Sequence, residues 1–536
     1  MKKNLFDIPF ILLTIVVSIL GAIIGMQLIT TLGVTPNTSV IGALVAMLLA
    51  KVPLNIFQSL RSTHAQNTVQ TSVSAATFGA ANSLLIPIGI PYVMGRTDLI
   101  IPMLIGVSVA LVIDGFIIYK VFDSKMFPST AAWPPGVAAA ETINAGDQGG
   151  KQAGFLGIGI LGGLGGSFLG IPMSAAGIAF IANIWAMVAF GIGLLVTGYS
   201  DFLFGTNIDD LYIPHGIMVG AGLTALVQFV IIMVKDQKKI KKEAAENVAI
   251  SENEEIEENE DQSFTRSSDE VVRMFGIGYI LYALGAILLA FVGGIMSDLS
   301  IGMIILFVLF AAFTALATEV IVGVAAMHSG WFPAFAVSLI SLIIGMLLGF
   351  PPVALALLVG YTAATGPAFA DLGYDLKAGY LVRGKKENLA FEIKGRRDQF
   401  KSTLIGFGVA ILLVSFFHNN YFSLDLIPPI DQVYVSTIEA GISSKVAFYL
   451  VIWAIPGAIV QILGGPGRQL GVLFATGLLV ADPIAGFTVL IGVLIRSIIY
   501  KWKGQSAETS MFTIAAGFIA GDALYGFFNS VWKSVK

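Results

Sequence analysis

Eight polar side chains fall within eleven positions in the first fifth of the chain: His64, Gln66, Asn67, Thr68, Gln70, Thr71, Ser72 and Ser74, with Thr77 and Asn82 following. The surrounding stretch, residues 64–95, lies between hydrophobic runs and is long enough to cross a bilayer. Each polar group left unsatisfied there costs roughly several kcal/mol. At membrane depth such side chains face a bundle interior or a wet cavity, and often line a solute path. Ser, Thr, Asn and Gln also bridge packed helices, but so dense a cluster exceeds what docking needs. A pathway-lining helix is expected, with Gln66, Asn67, Gln70, Thr71 and Ser74 facing the solute.

Ionisable groups are rare in the apolar runs, and their placement points to proton exchange. Asp114 falls within VSVALVIDGFIIYK and Glu319 within FTALATEVIVGVAAMH. A carboxyl group inside a membrane segment is a functional candidate by default, because desolvation links its proton to whatever binds nearby. Lys120 offsets Asp114 only in part, since it is six residues away and on another face. Glu141 follows Pro128, Pro134 and Pro135, and it fits two readings: an acid beside freed backbone carbonyls, or an interfacial glutamate at a helix end. Arg468, in LGGPGRQLG, fits either a counter-charge for a solute carboxylate or an interfacial arginine. His328 reads as structural, and the four histidines show no metal-ligand spacing.

Other motifs exclude rather than assign. A G-x-G-x-x-G at Gly157, Gly159 and Gly162 lies in an apolar helical context instead of after a strand. The pairs Gly159/Gly163, Gly162/Gly166 and Gly166/Gly170 instead predict a face for close helix contact. No Walker A, H-E-x-x-H or G-x-S-x-G sequence is present, so the chain is read as a non-enzyme that needs no cofactor.

The elements that must hold these residues are membrane helices. The 536 residues are 56% hydrophobic and 12% charged, against about 25% charged in soluble domains, which marks a polytopic membrane protein. The absence of cysteine excludes disulfides, thiolate zinc sites and iron–sulfur clusters. The net charge of -4, with no basic stripe, excludes a nucleic-acid partner. The apolar run from Ile8 to Leu32 is too long for a signal-peptide core and reads as an uncleaved first span.

Apolar runs begin near Ile8, Ser39, Leu99, Phe155, Pro172 and Leu211, with polar crossings near His64 and Pro128, about eight in all. Residues 235–270 are basic and then acidic, and form an expected solvated cytoplasmic linker. Further runs begin near Val272, Ile301, Trp331, Pro352, Lys401, Ser444, Pro466, Pro483 and Ser510. A half-helix or re-entrant segment around 462–481 would reconcile this second set with the first. The expected fold is therefore an all-α membrane protein of about 16 transmembrane helices, with broken or re-entrant helices lining the path. Its expected divisions are an N-terminal half (1–234), the linker (235–270) and a C-terminal half (271–536). If the halves are repeats, they are parallel ones of eight helices. Lys51, Arg61, Lys120, Lys125, residues 235–242 and 383–401, and Lys501 with Lys503 fall on one side. The loops 201–210 and 424–431 are acidic or neutral, so both chain ends are expected in the cytoplasm.

The most distinctive stretch of the second half is 360–384, where small residues and Pro367 suggest a broken helix. Tyr361, Thr362 and Thr365 are expected opposite the first polar helix, and Asp375, Lys377 and Tyr380 at the foot, placed to gate it. D-L-K-x-G-Y-L at 375–381 resembles the DLKTGYLL signature of the oligopeptide transporter family, which includes yellow-stripe-like metal-chelate carriers. Ala378 stands where that pattern commonly has threonine. QNTVQTSVSAA (66–76) resembles the N-x-V-Q-T-x-x-S-A core of the prokaryotic and yellow-stripe-like branches. GMQLITTLGVTPNTSVIGALVAML resembles the family's first hairpin. MFPSTAAWPPGVAAAETI is similar to FPSGTACAEVI, with Glu141 in the glutamate's place and WPPG as an insertion. GFIAGDALYGFFNS resembles the closing GLIAGEALVGV, with Asp522 replacing glutamate.

This resemblance implies proton-coupled import by alternating access, with small peptides, peptide-like solutes or metal chelates as substrates. It implies no ATPase subunit or external binding protein. The expected partners are that solute, protons and the lipid of the plasma (inner) membrane. The competing class is a passive channel or uniporter for a small polar solute, which shares the polar helices but does not accumulate solute. A homodimer is compatible with the class, although no interface is readable.

Overall fold

The computed structural model describes residues 6–33, 42, 61–146, 151–225, 227–228, 231, 264–329, 334–441, 443–465, 468–480 and 482–535. The second expected span, most of the expected linker and residues 147–150 lie outside the described residues. So do the side chains of Glu141 and His328. Every regular element among the described residues is helical.

In chain order these are α1 (Ile8–Leu32), α2 (Thr63–Phe78), α3 (Ile86–Val93), α4 (Ile100–Val121), α5 (Pro134–Gly146), α6 (Lys151–Phe168), α7 (Met173–Ile181), α8 (Ile184–Gly198) and α9 (Ile213–Ala225). They continue as α10 (Ser268–Val292), α11 (Ile301–Ser329), α12 (Ala334–Leu347), α13 (Pro352–Ala364), α14 (Pro367–Val382) and α15 (Leu389–Phe422). The last five are α16 (Pro429–Ala440), α17 (Ser444–Gly464), α18 (Leu470–Val480), α19 (Pro483–Lys503) and α20 (Glu508–Val535). Nine continuous spans among the described residues are long and apolar enough to cross a membrane, and five shorter apolar helices accompany them.

Two composite spans occupy the centre. The first joins α2 to α3 through a π-helical stretch, Gly79–Leu85, and the second joins α13 to α14 at a break. Both are buried almost throughout, whereas α10, α17 and α19 expose most of their length as a lipid-facing shell. The inner halves α2 and α14 pack together, as do α3 and α13, so the composites run antiparallel. α15 lies across α2, and α4 and α11 cover the break.

Three boundaries differ from the sequence reading. The run from Pro172 is split between Ile181 and Ile184, where Asn183 caps α8 by accepting from Trp185 and Ala186 N–H groups. The segment around 462–481 resolves into the end of α17 and the short helix α18. The span expected near Lys401 starts at Leu389, and its 34 residues reach about 51 Å, well beyond a hydrocarbon core of about 30 Å. Its extra turns are helical because Glu392, Arg396, Gln399 and Thr403 form one buried polar stripe, while Phe391 and Ile393 face outward.

Part of the glycine face is where its spacing puts it, whereas Gly166 packs on Met173 and Gly170 lies beyond α6 at φ 79°. Gly159 and Gly163 of α6 abut Gly517 and Gly521 of α20, so close that a methyl group on Gly159 would sit 2.9 Å from the Gly517 Cα.

Candidate functional site

The polar residues of α2 meet α14 in two rungs. Gln70 Nε2 donates to Asp375 Oδ1, and Ser74 Oγ donates to Asp371 Oδ1 at 2.6 Å. The partners are four residues apart on each helix and in opposite order, which fixes the antiparallel register. All four side chains are buried. Asp371 was not singled out from sequence. Its signal is the i, i+4 spacing to Asp375, which places both carboxyl groups on one face once the helix is extended back to Pro367.

Below these rungs a hydrogen-bonded chain leads to one end of the bundle. Asn67 Nδ2 donates to Gln70 Oε1 at 2.9 Å, and Arg383 Nη1 reaches Asn67 Oδ1 at 3.3 Å and Gln399 Oε1 at 2.9 Å. Gln399 Nε2 donates to Thr71 Oγ1 and to the Asp375 carbonyl, at 3.1 and 2.6 Å. Gln66 is buried beside them. The Arg383 guanidinium grips Glu392 with two N–H groups, at 2.7 and 3.1 Å, and both side chains are wholly buried. Gly379 and Gly395 make room for it, since a Cβ on either would run into Arg383. Arg396 continues the chain from Glu392 (2.8 Å) to Asp123 (3.0 Å), which also holds Lys386 at 2.7 Å.

Asp123 follows α4 in a left-handed conformation, φ 66°, and accepts from Ser129 and Thr265 as well. Burial pushes its carboxyl pKa up, but Lys386, Arg396, Ser129 and Thr265 outweigh that and hold it at about 2. Lys377 donates to the Ser129 and Ala131 carbonyls, both at 2.8 Å, and its ammonium lies 5.3 Å from the Tyr380 ring. Asp375, Lys377 and Tyr380 thus lie beside this ion-paired network, which forms the foot of the polar track.

The WPPG insertion has a place in the packing. Trp133, at φ 40° and fully buried, presses on Gly373 and donates its indole N–H to the Pro128 carbonyl at 3.2 Å. It pins the proline-rich segment and α5 against α14. The Glu141 side chain lies outside the described residues.

Above the rungs, α13 and α14 part at Thr365 and Gly366, where φ is 95° and ψ -49°. The Asp114 carboxylate fills this gap, accepting from Gly366 N–H at 3.0 Å and Phe369 N–H at 2.8 Å. Tyr282 Oη donates to Glu319 Oε2 at 3.0 Å and stands 3.5 Å from Asp114, which brings the two carboxyl groups into one cluster. Glu319 Oε1 is buried without a partner. Tyr361 donates to the Tyr282 carbonyl at 3.0 Å, Thr365 to the Ala315 carbonyl at 3.1 Å, and Thr362 pairs with Thr314 at 3.1 Å. These three therefore face α10 and α11, while the carboxyl groups of α14 take the place opposite Gln70 and Ser74.

Two further residues lie outside this network. Arg468 is exposed, with its guanidinium 5.5 Å from the Trp185 ring, away from the polar centre. Asp431, read from sequence as part of an outer loop, sits in α16, fully buried against Gly89, and neither carboxylate oxygen has a partner. No group of three or more His, Asp or Glu side chains among the described residues is placed to hold a metal ion.

The arrangement is a polar track inside an apolar shell, interrupted by a helix break and closed at one end by ion pairs. Compared with known proteins, the chain matches the family model described as OPT oligopeptide transporter protein over residues 8–209 and 164–533. No curated protein and no solved structure matches it.

Proposed function

Because the chain belongs to the oligopeptide transporter family, we propose that it is a secondary active carrier, importing small peptides, peptide-like solutes or metal chelates by proton-coupled alternating access. The observation that carries this reading is the pair of antiparallel central spans, one carrying a π-helical stretch and the other broken at Gly366, with Asp114, Glu319, Asp371 and Asp375 buried along them. Broken helices at membrane depth are tolerated where protein or a water-filled path satisfies the freed backbone, and buried carboxyl groups there serve proton relays. Glu319 is the leading proton-exchange residue, since one of its oxygens is unpartnered in a cluster of hydroxyl groups. Asp431 is a second.

In this reading the foot network is the cytoplasmic gate. Arg383, Glu392, Arg396, Asp123 and Lys386 must part for the Gln70–Asp375 and Ser74–Asp371 rungs to meet the cytoplasm. Solute would replace the inter-helix hydrogen bonds of the rungs, so its polar groups are exchanged for protein ones at little cost.

The test uses purified protein in liposomes that enclose a pH-sensitive dye. Di- to hexapeptides, glutathione, and iron or nickel chelates are added in turn, with and without a membrane potential. Lumenal acidification driven by one class, and lost in Glu319→Gln, is the expected result. Uptake that stops at equilibrium without acidification would establish a passive channel or uniporter instead.

A further inference from the structure

A cavity of about 370 Å3 opens at the opposite end of the molecule from the foot network. It is formed where α1, the α6–α7 turn, the loop after α15 and α20 come together. Its polar lining is Gln27, Ser167, Asp482, Asp522, Tyr525 and Asn529, and no lysine or arginine is among the lining residues. Asp482 caps α19, whose far end carries Lys501 and Lys503, so the cavity lies across the bundle from those basic residues. Ile171, Pro172, Leu424 and Leu426 give it an apolar side.

The polar groups are held in place by the backbone. Asp522 Oδ1 accepts from Ser167 Oγ, and Oδ2 accepts from Ser174 N–H at 2.8 Å in the first turn of α7. Asp482 Oδ1 accepts from Ile484 and Ala485 N–H groups at 2.9 and 3.1 Å. A carboxylate has about four acceptor positions and each of these uses two, so each retains capacity for a ligand. Gln27 supplies an independent sign. It is only 8% exposed, its Oε1 has no hydrogen-bond partner, and its amide is pressed against Gly526, where a Cβ would collide with it. A buried amide oxygen left unmatched beside two carboxylates is an unmet demand for donors.

We propose that this cavity is the outward recognition site for a protonated primary amine, the α-ammonium end of a short peptide-like solute. The inference rests on the carrier reading above and narrows it. An ammonium carries three donors and a positive charge, which matches two carboxylates and an amide oxygen with no competing cation. The volume suits a residue or two rather than a bare ion. An anionic chelate would meet two carboxylates and no cationic side chain.

Binding is measured on the full-length protein in nanodiscs by calorimetry, using alanyl-alanine and its N-acetyl derivative at pH 7. The free dipeptide binds and acetylation abolishes or weakens binding at least about tenfold, the order expected for losing a hydrogen bond to a charged group. Asp482→Ser keeps the helix cap but removes the charge, and weakens the free dipeptide by a similar factor without affecting the thermal midpoint. Asp522→Asn does the same, with Asp522→Glu restoring affinity. Equal binding of the two dipeptides, or binding of neither, overturns the proposal. Discrimination in binding without any uptake in liposomes would instead overturn the carrier reading and leave the site standing.

Discussion

At Gly366 the backbone turns into a region closed to side chains, and a Cβ there would also press on Val322. The break frees N–H groups at the start of α14, and the Asp114 carboxylate takes two of them. Asp114 and Glu319 share a tyrosine, but Asp114 also accepts from backbone N–H groups while one Glu319 oxygen has no partner, and this separates them experimentally. Asp114→Ala leaves buried donors unpaired, at about 1–3 kcal/mol each, and should lower the thermal midpoint markedly. Glu319→Gln should leave that midpoint nearly unchanged but abolish uptake driven by a pH gradient; the reverse pattern would exchange their roles. Asp123 belongs to a third kind, a carboxylate held ionised by cations. Its folded pKa of about 2 lies below the ordinary carboxylate value near 4, so the unfolded chain binds its proton more readily. Its stabilisation is therefore complete above about pH 4 and drains away as pH falls through about 2. The thermal midpoint should drop between pH 4 and 2.5, and the acid-dependent drop should be shallower in Asp123→Asn. A parallel decline in both proteins would remove Asp123 from the account.

Among the elements, α15 is the one that locks the foot. Its first turns carry Glu392, Arg396 and Gln399, and these join α14 to the end of α4 and to Thr265 just before α10. Glu392→Gln removes the shared partner of two buried guanidinium groups, a loss of about 3–5 kcal/mol where a buried pair is broken. The chain has no cysteine, so a single cysteine at Ser74 reports access without background. It should resist a thiol reagent in the otherwise unchanged protein and react from the basic-loop side once Glu392→Gln is added. Protection retained in the double variant would mean that α15 does not gate the path. This arrangement was only half legible in the sequence. The polar stripe of α2 and the foot residues of α14 stood out because polar groups are scarce in apolar segments. The first turns of α15 read as a loop because residues 383–401 are densely charged, and charge alone does not distinguish a solvated loop from a helix that buries one charged face. The partners Asp371 and Asp375 escaped pairing with α2 because register between distant helices depends on packing, which local sequence does not encode.

For the molecule as a whole, composition made the class plain: a chain so poor in charge cannot be anything but membrane-embedded, and the family match extends over residues 8–209 and 164–533. Helix breaks were legible where proline or glycine marked them, as at Pro367, whereas burial was not: Asp431 follows Pro428 and Pro429 in what reads as a polar turn, yet it is wholly buried in α16. The side each loop occupies depends on the surroundings of the chain, and here the distribution of basic residues is the guide. Thr206 lies in an exposed acidic turn after α8, whereas Lys503 ends α19 on the side of the foot network. Placed one at a time in the cysteine-free chain and expressed in intact cells, a cysteine at Thr206 should react with a membrane-impermeant maleimide. One at Lys503 should react only after the membrane is opened. That outcome puts the carboxylate-lined cavity outside and the ion-paired foot inside, the orientation in which a solute meets Asp482 and Asp522 before the rungs of α2 and α14. Labelling of Lys503→Cys from outside would reverse the molecule, making the same cavity a site of release and the foot network the gate to the exterior.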